Sequence, residues 1–267
     1  MKIGIAGIGA VGASVARALD RGEIPGCELV AVSARNAERA AAFKGTLDTP
    51  VPFVSLDDLA SEADAVLEAL PPTLFDQVAH PVLRAGKTLI AMSASQLLDR
   101  EDLVELATTA GGRIIIPSGA ILGIDAVKAA AVGILYEVKI ITRKPPKSLA
   151  SASYVIKNSL SLERLEEAVC ILKGTVRDVA KEFPANVNVA AAISLAGFGP
   201  DRTQLEIWAD PKLSLNTHTV TVRSDSSNFS MSIQNTPSFE NPATGRITYQ
   251  SVIALLREMM AVLRLGT

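Results

Sequence analysis

The chain has 267 residues, 48% hydrophobic and 20% charged, with a formal net charge of −2. This composition suits a well-packed protein of two domains or one large one, and the small charge with only short basic clusters gives no electrostatic footprint for nucleic acid. The longest apolar runs, such as Val189 to Phe198, are too short to span a membrane, and the two distant cysteines, Cys27 and Cys170, form neither a disulfide framework nor a metal-ligand cluster, so no metal is expected.

The first element is a short apolar strand, Lys2 to Ala6, which runs into Gly7-Ile8-Gly9-Ala10-Val11-Gly12. In such a G-x-G-x-x-G turn the first glycine lets the strand turn sharply, the second lets backbone approach a pyrophosphate, and the third lets the next helix pack on the sheet. A helix over Val11 to Arg21 follows, with Val11, Val15, Ala16 and Leu19 at helical spacing. Its N-terminal amides would face the phosphates, so Gly7, Gly9, Ala10, Val11 and Gly12 are the expected dinucleotide cradle. Regularly spaced glycines oppose reading this apolar run as a secretory signal, and a cytoplasmic protein is expected.

The second strand, Glu28 to Val32, ends in Val32-Ser33-Ala34-Arg35-Asn36, where an acid would hold the ribose 2′-hydroxyl of NAD. No acid is present. Ser33, Arg35 and Asn36 offer donors to a 2′-phosphate instead, so NADP is expected to serve at least as well as NAD. The alternative, a solvated Arg35 with NAD bound through other contacts, stays open.

Strand and helix patterns then alternate as far as Pro117. Further strands are expected at Val51 to Val54, Ala65 to Leu70, Thr88 to Met92 and Arg113 to Ile116, with helices at Ala37 to Phe43, Leu56 to Ala60, Leu74 to Ala85 and Arg100 to Thr109. Runs such as Ile114-Ile115-Ile116 are apolar on both faces, as in a sheet covered by helices on both sides. The expected fold class is α/β, a Rossmann-type doubly wound parallel sheet over residues 1–117 joined to a second, α+β domain. At the carboxyl edge of the sheet, Leu70, Pro71 and Pro72 read as an extended exit lining the nicotinamide ribose, while Glu68 reads equally as structural. Ser95 reads either as part of that edge or as a helix cap.

After Pro117 the pattern changes. A helix at Ile124 to Val132 and a strand at Tyr136 to Thr142 lead to a basic turn, Arg143-Lys144-Pro145-Pro146-Lys147, and two or three helices are expected between Leu162 and Phe198, one containing Cys170. Strands at Thr203 to Ala209, His218 to Ser224 and Asn228 to Gln234 complete a catalytic and oligomerisation domain over residues 118–237. Its half-covered sheet favours pairing with a copy of itself, so a homodimer or higher symmetric oligomer is expected. A final helix, Ile247 to Leu265, follows the turn-rich Asn241-Pro242-Ala243-Thr244-Gly245. It is expected to return to the first domain, so that residues 238–267 complete it, and a simple C-terminal continuation is the alternative.

Of the two histidines, His80 reads as a surface or capping residue. His218 sits at the start of a strand, and its near-neutral ordinary pKa suits acid/base work, though a packed structural histidine is the competing reading. Asn188 reads either as the N-cap of the following helix or as an amide that orients a nicotinamide carboxamide or a substrate carboxylate.

Pro117-Ser118-Gly119-Ala120-Ile121 with Gly123-Ile124-Asp125, Arg143-Lys144-Pro145-Pro146, Phe183-Pro184-Ala185-Asn186-Val187-Asn188-Val189-Ala190-Ala191, and Trp208-Ala209-Asp210-Pro211 before Asn216-Thr217-His218 occur in this order behind the glycine turn. In this combination the chain resembles L-aspartate dehydrogenases over nearly its whole length. The resemblance implies a Rossmann domain with an α+β catalytic domain, oxidative deamination of L-aspartate with NAD or NADP, contacts from Ala120 and Asn188 to the dinucleotide, and His218 as the catalytic residue. Oxaloacetate and ammonia would be the products; release of iminoaspartate before hydrolysis would instead feed NAD synthesis, and both fates stay open. Arg143, Lys144 and Asn216 are then candidates to hold substrate carboxylates, with a solvated turn as the alternative for the first two. The competing functions are another two-domain NAD(P)-dependent reductase of small dicarboxylates or homoserine, and a non-catalytic dinucleotide sensor.

Overall fold

Strand sequences with apolar residues on both faces form the first sheet. The computed structural model describes residues 1–184, 187–238 and 244–266, and it divides into two units, Met1–Gly119 with Thr248–Arg264 and Ala120–Ile247 with Leu265–Thr267. The first contains β1 (Lys2–Ala6), α1 (Ala10–Asp20), β2 (Glu28–Ser33), α2 (Ala37–Lys44), α3 (Leu56–Glu62), β3 (Ala65–Glu68), α4 (Phe75–Arg84), β4 (Thr88–Ala91), α5 (Glu101–Ala110) and β5 (Arg113–Ile115). The strands pair in parallel in the order β2-β1-β3-β4-β5. On one face Ile3, Ile5, Leu67 and Ile90 pack with Val15 and Leu19 of α1. On the other, Val66 and Leu89 pack with Leu59, Phe75, Val78 and Val82 of α3 and α4. Both faces are therefore dry, which is why these strands do not alternate in polarity.

The expected strand at Val51 to Val54 is not one. Phe53 makes only an isolated bridge to Val32, with the Val32 N–H bonded to the Pro52 carbonyl and the Val54 N–H to the Val32 carbonyl. Pro50 and Pro52 have no N–H to donate, so a ladder cannot extend there. Pro71 is extended as expected, but Pro72 begins a 3₁₀ turn, Pro72–Leu74.

The second unit contains α6 (Ile124–Ala130), β6 (Leu135–Lys144), α7 (Ser153–Lys157), β7 (Val169–Thr175), α8 (Val176–Glu182), α9 (Asn188–Ile193), β8 (Gln204–Ala209), β9 (Asn216–Ser224) and β10 (Asn228–Asn235). Its sheet runs β10-β9-β6-β8-β7; β6 and β8 are parallel and the other pairs antiparallel. Val138, Ile140, Leu205, Ile207, Val220 and Val222 form its buried face.

Two readings of this region need correction. Arg143 and Lys144 belong to β6 rather than to a basic turn, because they pair with Trp208 and Ala209 of β8. The stretch around Cys170 is the edge strand β7, not helix: spacing within Leu165 to Leu172 mimics a helix, but pairing with β8 decides the conformation.

The last helix, α10 (Ile247–Met260), buries Val252 and Leu256 in the cluster that holds Ile3, Val15 and Leu19. It ends before Leu265, since Val262, Leu263 and Leu265 are exposed and have no face to pack. Residues 239–243, including Asn241, Pro242 and Ala243 of the expected turn, lie outside the described residues, as do Ala185, Asn186 and Thr267. Among the described residues no helix is long and apolar enough to cross a membrane.

Candidate active site

In the first unit the three motif glycines do three different things. Gly7 has φ +101°, and a Cβ there would sit 2.5 Å from the Ala69 carbonyl oxygen. A Cβ on Gly12 would lie 1.9 Å from the Gly7 carbonyl oxygen, so α1 can start this close to β1 only without a side chain. Gly9 meets nothing: a Cβ there would project into open space. Gly9 is also the N-cap of α1 and makes no side-chain capping bond, so the amides entering α1 at Ala10 and Val11 receive no such cap. An open cradle above a bare helix N-terminus fits a dinucleotide pyrophosphate.

The edge at which the ribose is expected is built by the ends of β1 and β2, where the Gly7 N–H donates to the Ser33 carbonyl at 2.9 Å. Ser33 is buried, Arg35 is exposed, and Asn36 caps α2 by accepting the Arg39 N–H at 2.8 Å. Asn36 is thus committed through its oxygen to the helix, which leaves Arg35 as the charged group of this edge. Leu70 is half-buried, and Pro71 and Pro72 are exposed.

Glu68, at the end of β3, is fully buried and accepts bonds from the Leu70 N–H (3.1 Å), the Ser93 N–H (3.0 Å) and the Ser93 hydroxyl (3.1 Å). Burial pushes its carboxyl above the ordinary range despite these donors. Its role is to tie the loops after β3 and β4 together along the carboxyl edge. Ser95 lies inside the 3₁₀ turn Ala94–Leu97, so it caps no helix. His80 is half-buried in α4, with Nε2 3.4 Å from Arg100 Nη2.

In the second unit, His218 is 5% exposed on the covered face of the sheet. Antiparallel pairing sets it opposite Thr142, and the Thr142 hydroxyl lies 3.0 Å from Nδ1. Lys144, two residues along β6 and so on the same face, is 8% exposed. Burial, helped by the Lys144 charge, pushes the imidazole down to about 4, and burial pushes the Lys144 ammonium down to about 8. At neutral pH the pair is therefore a neutral imidazole beside a cation.

Arg143 does not join them. Successive strand residues face opposite ways; its guanidinium lies 4.8 Å from the Trp208 ring and 3.3 Å from Asp210 Oδ2. The two candidate cations are split, and only Lys144 shares the face of His218. Asn216 opens β9, half-buried and two residues from His218 on that face. Asn188 is the first residue of α9 rather than its cap, because Val187 occupies the cap position. The Ala120 carbonyl accepts a bond from the Asn235 side chain at 3.0 Å. Neither Thr142 nor Asn235 was singled out by the sequence; strand register alone would have found them. Among the described residues no cluster of three or more His, Cys, Asp or Glu could hold a metal.

Residues 125–259 match the family model described as aspartate dehydrogenase, C-terminal, and residues 7–117 match the NAD binding domain of homoserine dehydrogenase. An L-aspartate dehydrogenase of Bradyrhizobium diazoefficiens is 46% identical over 267 residues, which is 100% of this chain and 94% of that protein. The chain belongs to the aspartate dehydrogenase family. A second member, L-aspartate dehydrogenase 3 of Bordetella bronchiseptica, is 47% identical over 100% of this chain and 98% of its own length. The aspartate dehydrogenase fold recurs in the Thermotoga maritima crystal structure, which is 24% identical with a TM-score of 0.76 over 100% of this chain and 99% of that one.

Two outcomes follow from this geometry. Losing an Arg–phosphate contact costs about 1.5–3 kcal/mol, so Arg35→Ala should weaken NADP binding about tenfold or more and leave NAD nearly unchanged; equal losses in cofactor titrations would remove Arg35 from the ribose edge. His218 has a depressed pKa, so its contribution to stability is fully present above the ordinary 6.5 and is lost as pH falls toward about 4. The loss should total on the order of 3 kcal/mol. Thermal unfolding of wild type and His218→Gln between those pH values should diverge, whereas parallel profiles would contradict a buried neutral imidazole.

Proposed function

We propose that this chain catalyses the reversible, NAD(P)-dependent oxidative deamination of L-aspartate to iminoaspartate, and onward to oxaloacetate and ammonia. Full-length identity of 46–47% to two L-aspartate dehydrogenases carries the reading. The open glycine cradle at Gly9 and the buried His218, Thr142 and Lys144 support it.

When bound, the dinucleotide supplies the acceptor for the hydride that leaves the substrate Cα. Gly7, Gly9, Ala10, Val11 and Gly12 hold the pyrophosphate, with Ala120 and Asn188 as further contacts. Lys144, charged at neutral pH despite its lowered pKa, receives a substrate carboxylate, and Asn216 assists. With Nδ1–H donating to Thr142 Oγ1, His218 presents a bare Nε2. That atom takes a proton from the water attacking the imine carbon and returns one in the reverse direction. A neutral imidazole is the form this step requires, and burial keeps it neutral.

The reading includes a homodimer, supported by the uncovered face of the second sheet, where Ile141 and Trp208 stay half-exposed. It also includes a cytoplasmic location, in keeping with the free thiols of Cys27 and Cys170.

Purified protein with NAD or NADP and L-aspartate at alkaline pH should accumulate reduced cofactor, and absence of turnover would overturn the assignment. In His218→Ala, turnover should fall by about 10²–10⁴-fold with little change in dinucleotide affinity. Full activity of the folded variant would remove the catalytic role. Light scattering at micromolar concentration should give a dimeric or larger mass.

A further inference from the structure

The face that carries His218 continues by one more row of residues. Thr142, His218 and Ile233 are cross-strand neighbours, and Asn216 pairs with Asn235 in the next row on the same side. Lys144 extends that face on β6. Asn235, the last residue of β10, is 4% exposed.

Its amide can sit only one way round. The Ala120 carbonyl can only accept, so the Asn235 nitrogen must face it, at 3.0 Å, and the oxygen must point elsewhere. Backbone at Gly245 closes one side: a Cβ added there would lie 3.1 Å from the Asn235 Cβ and 3.6 Å from Oδ1. Oδ1 itself is buried and has no hydrogen-bond partner among the described residues. A buried acceptor without a donor is costly, and a bound N–H group would relieve that cost. Of the two groups that face Asn235 from β6, the Lys144 ammonium only donates and the Thr142 hydroxyl is engaged with His218, so on this side of the face the acceptor for a ligand N–H is Asn235 Oδ1.

Resting on the aspartate dehydrogenase reading, we propose that Asn235 is a substrate-positioning residue whose Oδ1 accepts an N–H from the amino nitrogen that becomes the imine. Lys144 then holds a carboxylate, Asn235 the nitrogen, and His218 the proton, so three groups with different chemistry fix one amino acid. The nicotinamide carboxamide is the other source of an N–H donor, and the experiment separates the two.

The test compares aspartate with succinate, the same dicarboxylate without the nitrogen. KM for aspartate and Ki for succinate are measured at saturating dinucleotide, and dinucleotide Kd is measured by fluorescence without substrate. In Asn235→Ala, aspartate KM should rise about tenfold or more, while succinate Ki and dinucleotide Kd stay within about twofold. An equal rise for succinate would reduce Asn235 to packing and overturn the role. A weakened dinucleotide Kd with unchanged aspartate KM would assign Oδ1 to the carboxamide and also overturn it. Asn235→Asp keeps an acceptor oxygen but cannot donate to Ala120, so it should retain the preference for aspartate over succinate; it decides the matter alone if Asn235→Ala does not fold. Loss of that preference in Asn235→Asp would make the Ala120 bond the operative contact and overturn the proposal. Wild-type protein that reduces no cofactor with aspartate would instead refute the function itself, and this role with it.

Discussion

A β-strand sends consecutive side chains to opposite faces, and the chemistry of the second unit depends on that alternation. Arg143 and Lys144 are adjacent in sequence and alike in charge, yet one stacks on Trp208 and pairs with Asp210 while the other is buried beside His218. The same rule brings Thr142, Lys144, Asn216, His218 and Asn235 to one face from three strands. A register slip of one residue on β9 would turn His218 to the other side. Val220 and Val222, the apolar residues of β9 that continue the face, oppose such a slip because both would leave the core with it.

Burial sets the electrostatics of this face. A charged imidazole there would face both desolvation and the Lys144 ammonium, so His218 is held neutral at neutral pH. Lys144 bears its own desolvation cost and still keeps its charge near neutrality. An anionic substrate would lower that cost, which couples carboxylate binding to the charge state of the lysine. The same logic applies to Glu68 in the first unit, where a buried carboxyl gathers two loops through three donors.

The glycine turn shows a different form of constraint, in which missing side chains create the site. Gly7 and Gly12 are required by contact with Ala69 and with Gly7 itself, whereas Gly9 leaves room. Two glycines are thus structural and one leaves open space, the same division of roles that the motif assigns to its three positions.

The sequence by itself determined the first unit almost entirely. Its strands are buried on both faces and its helices have their own apolar periodicity, so each element carries a local signal, as β1, β3 and α4 do. The one false strand, Val51 to Val54, had the right composition but two prolines that deny it a ladder. Sequence also marked His218 and the cradle glycines as residue types with chemistry to perform. What it could not settle lay in non-local pairing: β7 reads as helix until β8 claims it, and Arg143 and Lys144 read as a turn until β8 extends β6. The partners of His218 come from residues far apart in the chain, joined only by strand register. Which face a side chain takes, and hence which charges meet, is fixed by hydrogen bonds between strands, and those exist only in the tertiary structure.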